Sequence, residues 1–249
     1  MTANSRSSRI QAVVAQQAAL RDARVGVVDV CTAAVATLPV SGAGVSAMFP
    51  DIPSHPLCST DEISEQLEEL QLTLGEGPCV DAFVHGWAVL TPDLLSGELQ
   101  DSWPVFADAA LEAGARAVFA LPLQIGAISP GVLDLYADVP VELDAEALAD
   151  ALAFADTATL ILLDSRIDES GNTGPVGRYD DLGAYRAEID QATGVLTVQL
   201  GVGIEEAFIR LRAHAFAHGH RLADVAADIV AHRLRFSPDM EPKRTEEGR

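Results

Sequence analysis

Apolar residues recur at helical spacing through Ile10, Val13, Val14, Ala18, Leu20, Val27, Val28, Val35 and Leu38, which predicts one long helix closed by Pro39. A stripe that wide can serve two partners, so pairing with a second copy of the chain is expected. Gly42 to Phe49 alternates like a strand, and Asp61 to Leu74 returns to helical spacing through Ile63, Leu67, Leu70 and Leu74. The segment GEGPC, Gly75 to Cys79, interrupts that pattern with two glycines and a proline suited to opening a short helix over Val80 to His85. A strand is predicted to begin at Trp87 to Leu90, and a helix to run from Ser102–Trp103–Pro104 to Gly114. Strand-like runs at Ala117 to Ile125 and Val132 to Tyr136 flank the turn-rich Gly126 to Gly131, and a last long helix spans Asp144 to about Arg166. This order describes an α+β domain with a largely antiparallel sheet.

Asp168 to Gly177, DESGNTGPVG, then concentrates turn formers and reads as a linker. Beyond it three helical stripes follow one another: Ile189, Ala192, Leu196 and Leu200; Ile204, Phe208, Leu211 and Ala215; Leu222, Val225, Ala226 and Ile229. The pattern divides the chain into a disordered N-terminus (1–9), an α+β domain (10–166), a linker (167–178), a three-helix all-α bundle (179–236) and a disordered polar tail (237–249).

Charge sharpens that division. The net charge of −21 is carried almost wholly by residues 1–177, with 6 Arg against 25 acidic residues, whereas residues 178–236 hold 7 Arg against 8 acidic residues. The bundle is therefore the part suited to meeting phosphate, without being strongly basic. Three cysteines, Cys31, Cys58 and Cys79, lie far apart in sequence without metal-ligand spacing, so neither a disulfide framework nor a zinc site is expected, and no cofactor is indicated. No segment reaches the roughly 18 uncharged apolar residues of a membrane span and no signal core opens the chain, so a cytoplasmic protein is expected. No Walker loop, GxSxG elbow or carboxylate pair at catalytic spacing stands out, which points away from an enzyme.

Two stretches resemble known families. LTLGEGPCVDAF (Leu72 to Phe83), WPVFADAALEAGARAVFALPLQIGA (Trp103 to Ala127) and GVLDLY (Gly131 to Tyr136) resemble the GAF domains of actinobacterial GAF–ANTAR regulators. AEIDQATGVLTVQLGV (Ala187 to Val202), EEAFIRLRAHAFAHG (Glu205 to Gly219) and LADVAADIVAHRL (Leu222 to Leu234) are similar to the three helices of an ANTAR domain. The resemblance implies a GAF domain sensing an unknown signal, and an ANTAR bundle that binds RNA hairpins in nascent transcripts as a dimer and prevents termination. Arg186, Gly194, Arg210, Arg212, Phe216, Arg221 and Arg233 are the expected RNA-binding residues. Arg212 and Phe216, at i and i+4, can set a guanidinium on phosphate and a ring on an unpaired base, though core packing of Phe216 and a snorkelling Arg212 fit the same spacing. Gly194 in mid-helix marks close approach of another helix or of RNA. Arg233 and Arg235 also suit a helix C-terminus irrespective of RNA.

Three other readings remain open on the residues. The bundle can be a dimerising or ligand-signalling module without RNA. Cys79, beside a glycine-rich turn and a helix start, can be a redox nucleophile resolved by Cys58. His55 and His85 can ligate haem, although lone loop histidines are mostly solvated.

Overall fold

The computed structural model describes residues 3–49, 52–96, 102–168, 179–237 and 240–244, and side chains within them except at 3, 4, 49, 52–55, 165–168, 179–186 and 240–244. It divides into two compact units, 1–175 and 176–249. The first contains helices α1 (Ala3–Leu20), α2 (Val27–Thr37), α3 (Glu62–Leu74), α4 (Pro78–His85), α5 (Phe106–Ala113) and α6 (Ala145–Asp168). Its five strands, β1 (Gly42–Phe49), β2 (Ile52–Ser59), β3 (Val89–Thr91), β4 (Ala117–Ile125) and β5 (Ile128–Ala137), form one antiparallel sheet in the order β2-β1-β5-β4-β3.

Strand alternation gives the sheet two buried faces. Phe119, Leu121, Leu123, Leu133 and Leu135 pack with Ile10, Val14, Val30 and Phe154 from α1, α2 and α6. Val118 and Tyr136 on the other face pack with Leu67 and Phe106, and Ala120 and Val132 pack with Cys79 and Ala82. The helix–sheet–helix layering satisfies the expected α+β class.

The expected single helix over 10–38 is two. Arg21 donates to both oxygens of Asp29 at 2.8 and 2.7 Å, and the Gly26 N–H donates to the same carboxylate at 2.9 Å. That buried carboxylate holds the chain in a turn and caps α2, which hydrophobic spacing alone does not register. Of the predicted stripe, Ile10, Val14, Ala18, Val27 and Leu38 are buried within the unit, whereas Leu20 is 75% exposed. Residues 3–9, expected to be disordered, form the first turns of α1, whose Arg6 and Arg9 both pair with Asp150 of α6. The edge strand β2 carries Pro53 and Pro56 and shifts register between Val45 and Ser46, so its sequence lacks a clean strand pattern.

The second unit begins with α7 (Tyr179–Leu200), α8 (Ile204–His218) and α9 (Leu222–Val230). Ile189, Ala192, Leu196 and Leu200, then Leu211 and Ala215, then Leu222, Val225, Ala226 and Ile229 are buried as the spacing predicts. Ile204 departs from its expected stripe and is 66% exposed, its place taken by buried Ala207. A short hairpin follows, β6 (Leu234–Ser237) with β7 (Met240–Arg244), the latter within the stretch expected to be a disordered tail. Among the described residues no single helix is long and apolar enough to cross a membrane.

Candidate functional sites

Two places gather chemistry, one in each unit. In the first, GEGPC works as a positioning device. Gly75 ends α3 in the left-handed region (φ 67°), and Glu76 accepts the Val105 and Phe106 N–H groups at 2.9 Å, holding the start of α5. Gly77 has φ +129°, and a Cβ there would lie 2.7 Å from Gln71 Oε1, so only glycine fits. Pro78 then opens α4, and the Cys79 N–H donates to Gln71 Oε1 at 2.7 Å.

This brings α3 and α4 onto β1 and β5 around a buried polar cluster. Glu68, Cys79 and Asp134 are buried, and each offers a ligand atom within 4.8 Å of the others. Ser46 donates its hydroxyl to Glu68. Neither Asp134 oxygen nor Gln71 Nε2 has a hydrogen-bond partner of normal geometry, although Glu68, Cys79 and Gln71 surround the Asp134 carboxyl. Gly44 leaves room for Glu68, whose Oε1 would lie 2.5 Å from a Cβ at that position. The adjoining cavity, lined in part by Gly44, Glu68, Gln71, Asp134 and Tyr136, measures about 10 Å³, space for one water-sized particle.

Burial pushes the Glu68 carboxyl well above the usual range, with the Asp134 charge adding to the effect. Burial likewise raises Asp134 to about 6. The two carboxyls interact, so protonation of either one favours ionisation of the other, and their titrations belong to the pair. The set can also hold a cation, and a metal ion there would displace the protons of Glu68 and Cys79.

The redox and haem readings fare differently from this cluster. Burial, Asp134 and Glu68 all push the Cys79 thiol up, opposite to what a nucleophile needs, and its sulfur lies 3.7 Å from Met48 Sδ. Cys58, expected as its resolving partner, instead meets Cys31. His85 stacks on Trp87 with centroids 4.8 Å apart and its Nδ1 lies 2.8 Å from the Asp81 carbonyl oxygen, while the His55 side chain falls outside the described residues.

In the second unit, the Arg212 guanidinium lies 5.6 Å over the Phe208 ring, where partial burial lowers its pKa without removing its charge. Phe216, one turn on, is 50% exposed, so it is not a core residue of this unit. Ile209, 59% exposed, joins them on the same flank of α8. Arg210 sits roughly 200° from Arg212 about the helix axis and pairs with Glu206 at 2.6 Å. The two arginines thus occupy opposite flanks.

Gly194 faces outward on α7, and a Cβ there would meet nothing within 4 Å. Among the described residues no other helix packs closely on this glycine. Arg221 is exposed at the N-cap of α9. Arg233, also exposed, donates to Asp228 at 2.8 Å beyond the end of that helix. Arg186 lies in α7 with its side chain outside the described residues.

Residue-by-residue reasoning missed a ring cluster. His214 and His218 lie with ring centroids 4.0 Å apart, tilted by 32°, His220 stacks on His218 at 6.1 Å, and Phe236 meets His214 edge-on at 5.1 Å. The i, i+4 spacing of His214 and His218 was its only local signal.

Residues 184–230 match the family model described as the ANTAR domain. No curated protein matches the chain. Among solved structures, the chain is similar to the GAF domain of an Acinetobacter phosphoenolpyruvate-protein phosphotransferase, at 12% identity and TM-score 0.49, covering 71% of this chain and 99% of that one. It is similar to the GAF domain of a Coxiella burnetii phosphoenolpyruvate-protein phosphotransferase, at 12% identity and TM-score 0.48, covering 66% and 98%. A type II free methionine-R-sulfoxide reductase from Thermoplasma acidophilum is similar at 15% identity and TM-score 0.40, covering 62% and 94%.

Proposed function

We propose that this chain is a cytoplasmic RNA-binding antitermination regulator, in which an N-terminal GAF domain receives a signal and the C-terminal ANTAR domain binds RNA hairpins. The observation that carries the reading is the flank of α8 inside the matched segment. There a partly desolvated Arg212 and a half-exposed Phe216 stand side by side on a unit whose own core is complete without them. An aromatic ring with no core role and a neighbouring guanidinium are the groups that stack on an unpaired base and grip its phosphate.

The proposed RNA face comprises Arg212 and Phe216, with Gly194, Arg221, Arg233 and Arg186 as further contributors. Arg210, on the opposite flank of α8 from Arg212, is not part of this face. Because the bundle is nearly neutral, affinity rests on these placed groups rather than on a broad field. A second copy of the chain supplies the second surface that a paired hairpin needs.

In the first unit the signal acts on the Glu68–Asp134 pair. The cavity there has room for a water molecule or a small ion, so any larger effector has to part α3 from the sheet.

Sequencing the RNA that co-purifies with the tagged full chain tests this reading. Enrichment of transcript segments with hairpins ahead of terminators is expected. Recovery of no RNA above a mock purification at low salt would reduce the bundle to a protein-interaction module.

A further inference from the structure

The fold does something with the cysteines that their spacing does not suggest. Cys31 lies on the inner face of α2, fully buried among Val27, Val30 and Ala34, and Cys58 lies half-buried on the edge strand β2, opposite Val45 of β1. Their sulfurs are 2.7 Å apart, well inside the roughly 3.5 Å at which non-bonded heavy atoms settle. Cys79 packs with Met48, Ala120 and Val132 on the other face of the sheet and so is no alternative partner for either. Two thiols from different elements, 27 positions apart in sequence, are thus held at near-bonding distance, with the more accessible one at a sheet edge.

We propose that Cys58 and Cys31 are a reversible thiol–disulfide pair oxidised by hydroperoxides, closing a covalent strap between α2 and the edge strand β2. This inference is independent of the RNA reading.

Cys58 is the attacking thiol because it is the one a small oxidant can reach. Its thiolate attacks one peroxide oxygen; the S–O bond forms, the O–O bond breaks, and hydroxide or alkoxide leaves and takes up the proton Cys58 had released. Burial and the neighbouring Cys58 push the Cys31 thiol up, so Cys31 is the poorer first nucleophile and enters only at the resolving step, bringing its proton with it. Cys31 sulfur then attacks the Cys58 sulfenic acid, the S–S bond forms, and hydroxide leaves with the Cys31 proton as water. In sum, two thiols and one hydroperoxide give one disulfide, one water and one alcohol, or two waters from hydrogen peroxide. A thiol or dithiol reductant reverses the bond by exchange. In a reducing compartment such a bond forms only while oxidant is present.

The test treats the reduced full chain with equimolar hydrogen peroxide, blocks remaining thiols by alkylation under denaturing conditions, and maps the peptides by mass. The expected product carries no intermolecular disulfide and is two hydrogens lighter, with Cys31 linked to Cys58, Cys79 alkylated, and the link lost on adding dithiothreitol. In Cys31→Ser the Cys58 sulfenic acid should accumulate and be trapped by dimedone, whereas Cys58→Ser should yield neither adduct nor link. Three alkylated cysteines after a tenfold excess of peroxide, a link involving Cys79, or only intermolecular disulfides would overturn the proposal. Should either substitution impair folding, the peptide map of the unsubstituted chain separates these outcomes by itself.

Discussion

The two units of this protein keep their polar groups in opposite places. The first buries Glu68, Asp134, Gln71, Ser46, Asp29 and Thr91, while the described part of the second buries one polar side chain, Thr193, which donates to the Ile189 carbonyl one turn back. In the second unit Ile209, Phe216 and Val198, which is 84% exposed, stand outside with Arg212 on its margin. The first unit accepts a cost in stability to hold unsatisfied carboxyl chemistry inside. The second completes a minimal apolar core and carries its described rings and arginines at the surface. An interior polar site suits a small signal, and an exterior ring-and-arginine flank suits a polymer.

Backbone proximity offers the strongest way to break this comparison. A Cβ at Gly131 would lie 2.0 Å from the Ser46 carbonyl oxygen, so Gly131→Ala must part β5 from β1 beside the pocket. A loss of roughly 3 kcal/mol or more is expected in the first unit. Both tryptophans, Trp87 and Trp103, lie there, so fluorescence-detected denaturation reads that unit selectively. An unchanged midpoint would show that β1 and β5 are looser than described.

The buried carboxyl tests the claim that the pocket is costly. Asp134 titrates at about 6 in the folded unit against an ordinary 3.8, so the folded state favours its protonated form. The associated stability is complete below about pH 4 and is lost as pH rises through 6, on the order of 3 kcal/mol in all. Asp134→Asn should therefore stabilise the first unit by roughly 2–3 kcal/mol at pH 8, with the gain shrinking toward zero at pH 4. A gain independent of pH would mean that the carboxyl is not desolvated.

How much of this was legible in the sequence follows from the range of the interactions. The bundle's core residues were readable because helical packing is encoded at i, i+3 and i+4, and α3, α4 and β4 were readable from caps, glycines and alternation. The break at Arg21 to Gly26 was not, since a carboxylate eight residues from its arginine determines it. Edge strand β2, with two prolines, and the meeting of Cys31 with Cys58 depend on sheet order, a long-range property. GVLDLY gave Asp134 as a polar residue in an apolar strand, but only the fold brings Glu68 and Cys79 to it. Arg210 and Arg212 are near neighbours in the sequence, and helix geometry puts them on opposite flanks.

The smallest expected effect is opposite in sign to the first. Gly194 has open space where Gly131 has backbone, so Gly194→Ala should raise the stability of the second unit by about 1 kcal/mol. Helical circular dichroism of the full chain, followed beside tryptophan fluorescence, separates this transition from that of the first unit. If RNA approaches α7 there, the same substitution weakens hairpin binding despite the added stability; unchanged affinity would remove Gly194 from the proposed face.

The central claim is that one flank of α8 grips RNA while the other does not, and a titration of a labelled two-hairpin RNA with the full chain across a salt series tests it most directly. The account predicts affinity that falls with salt, a loss of roughly 5- to 150-fold for Arg212→Ala with Phe216→Ala, equivalent to about 1–3 kcal/mol, and less than about a twofold change for Arg210→Ala. No binding at low salt, or equal losses from both flanks, would contradict it.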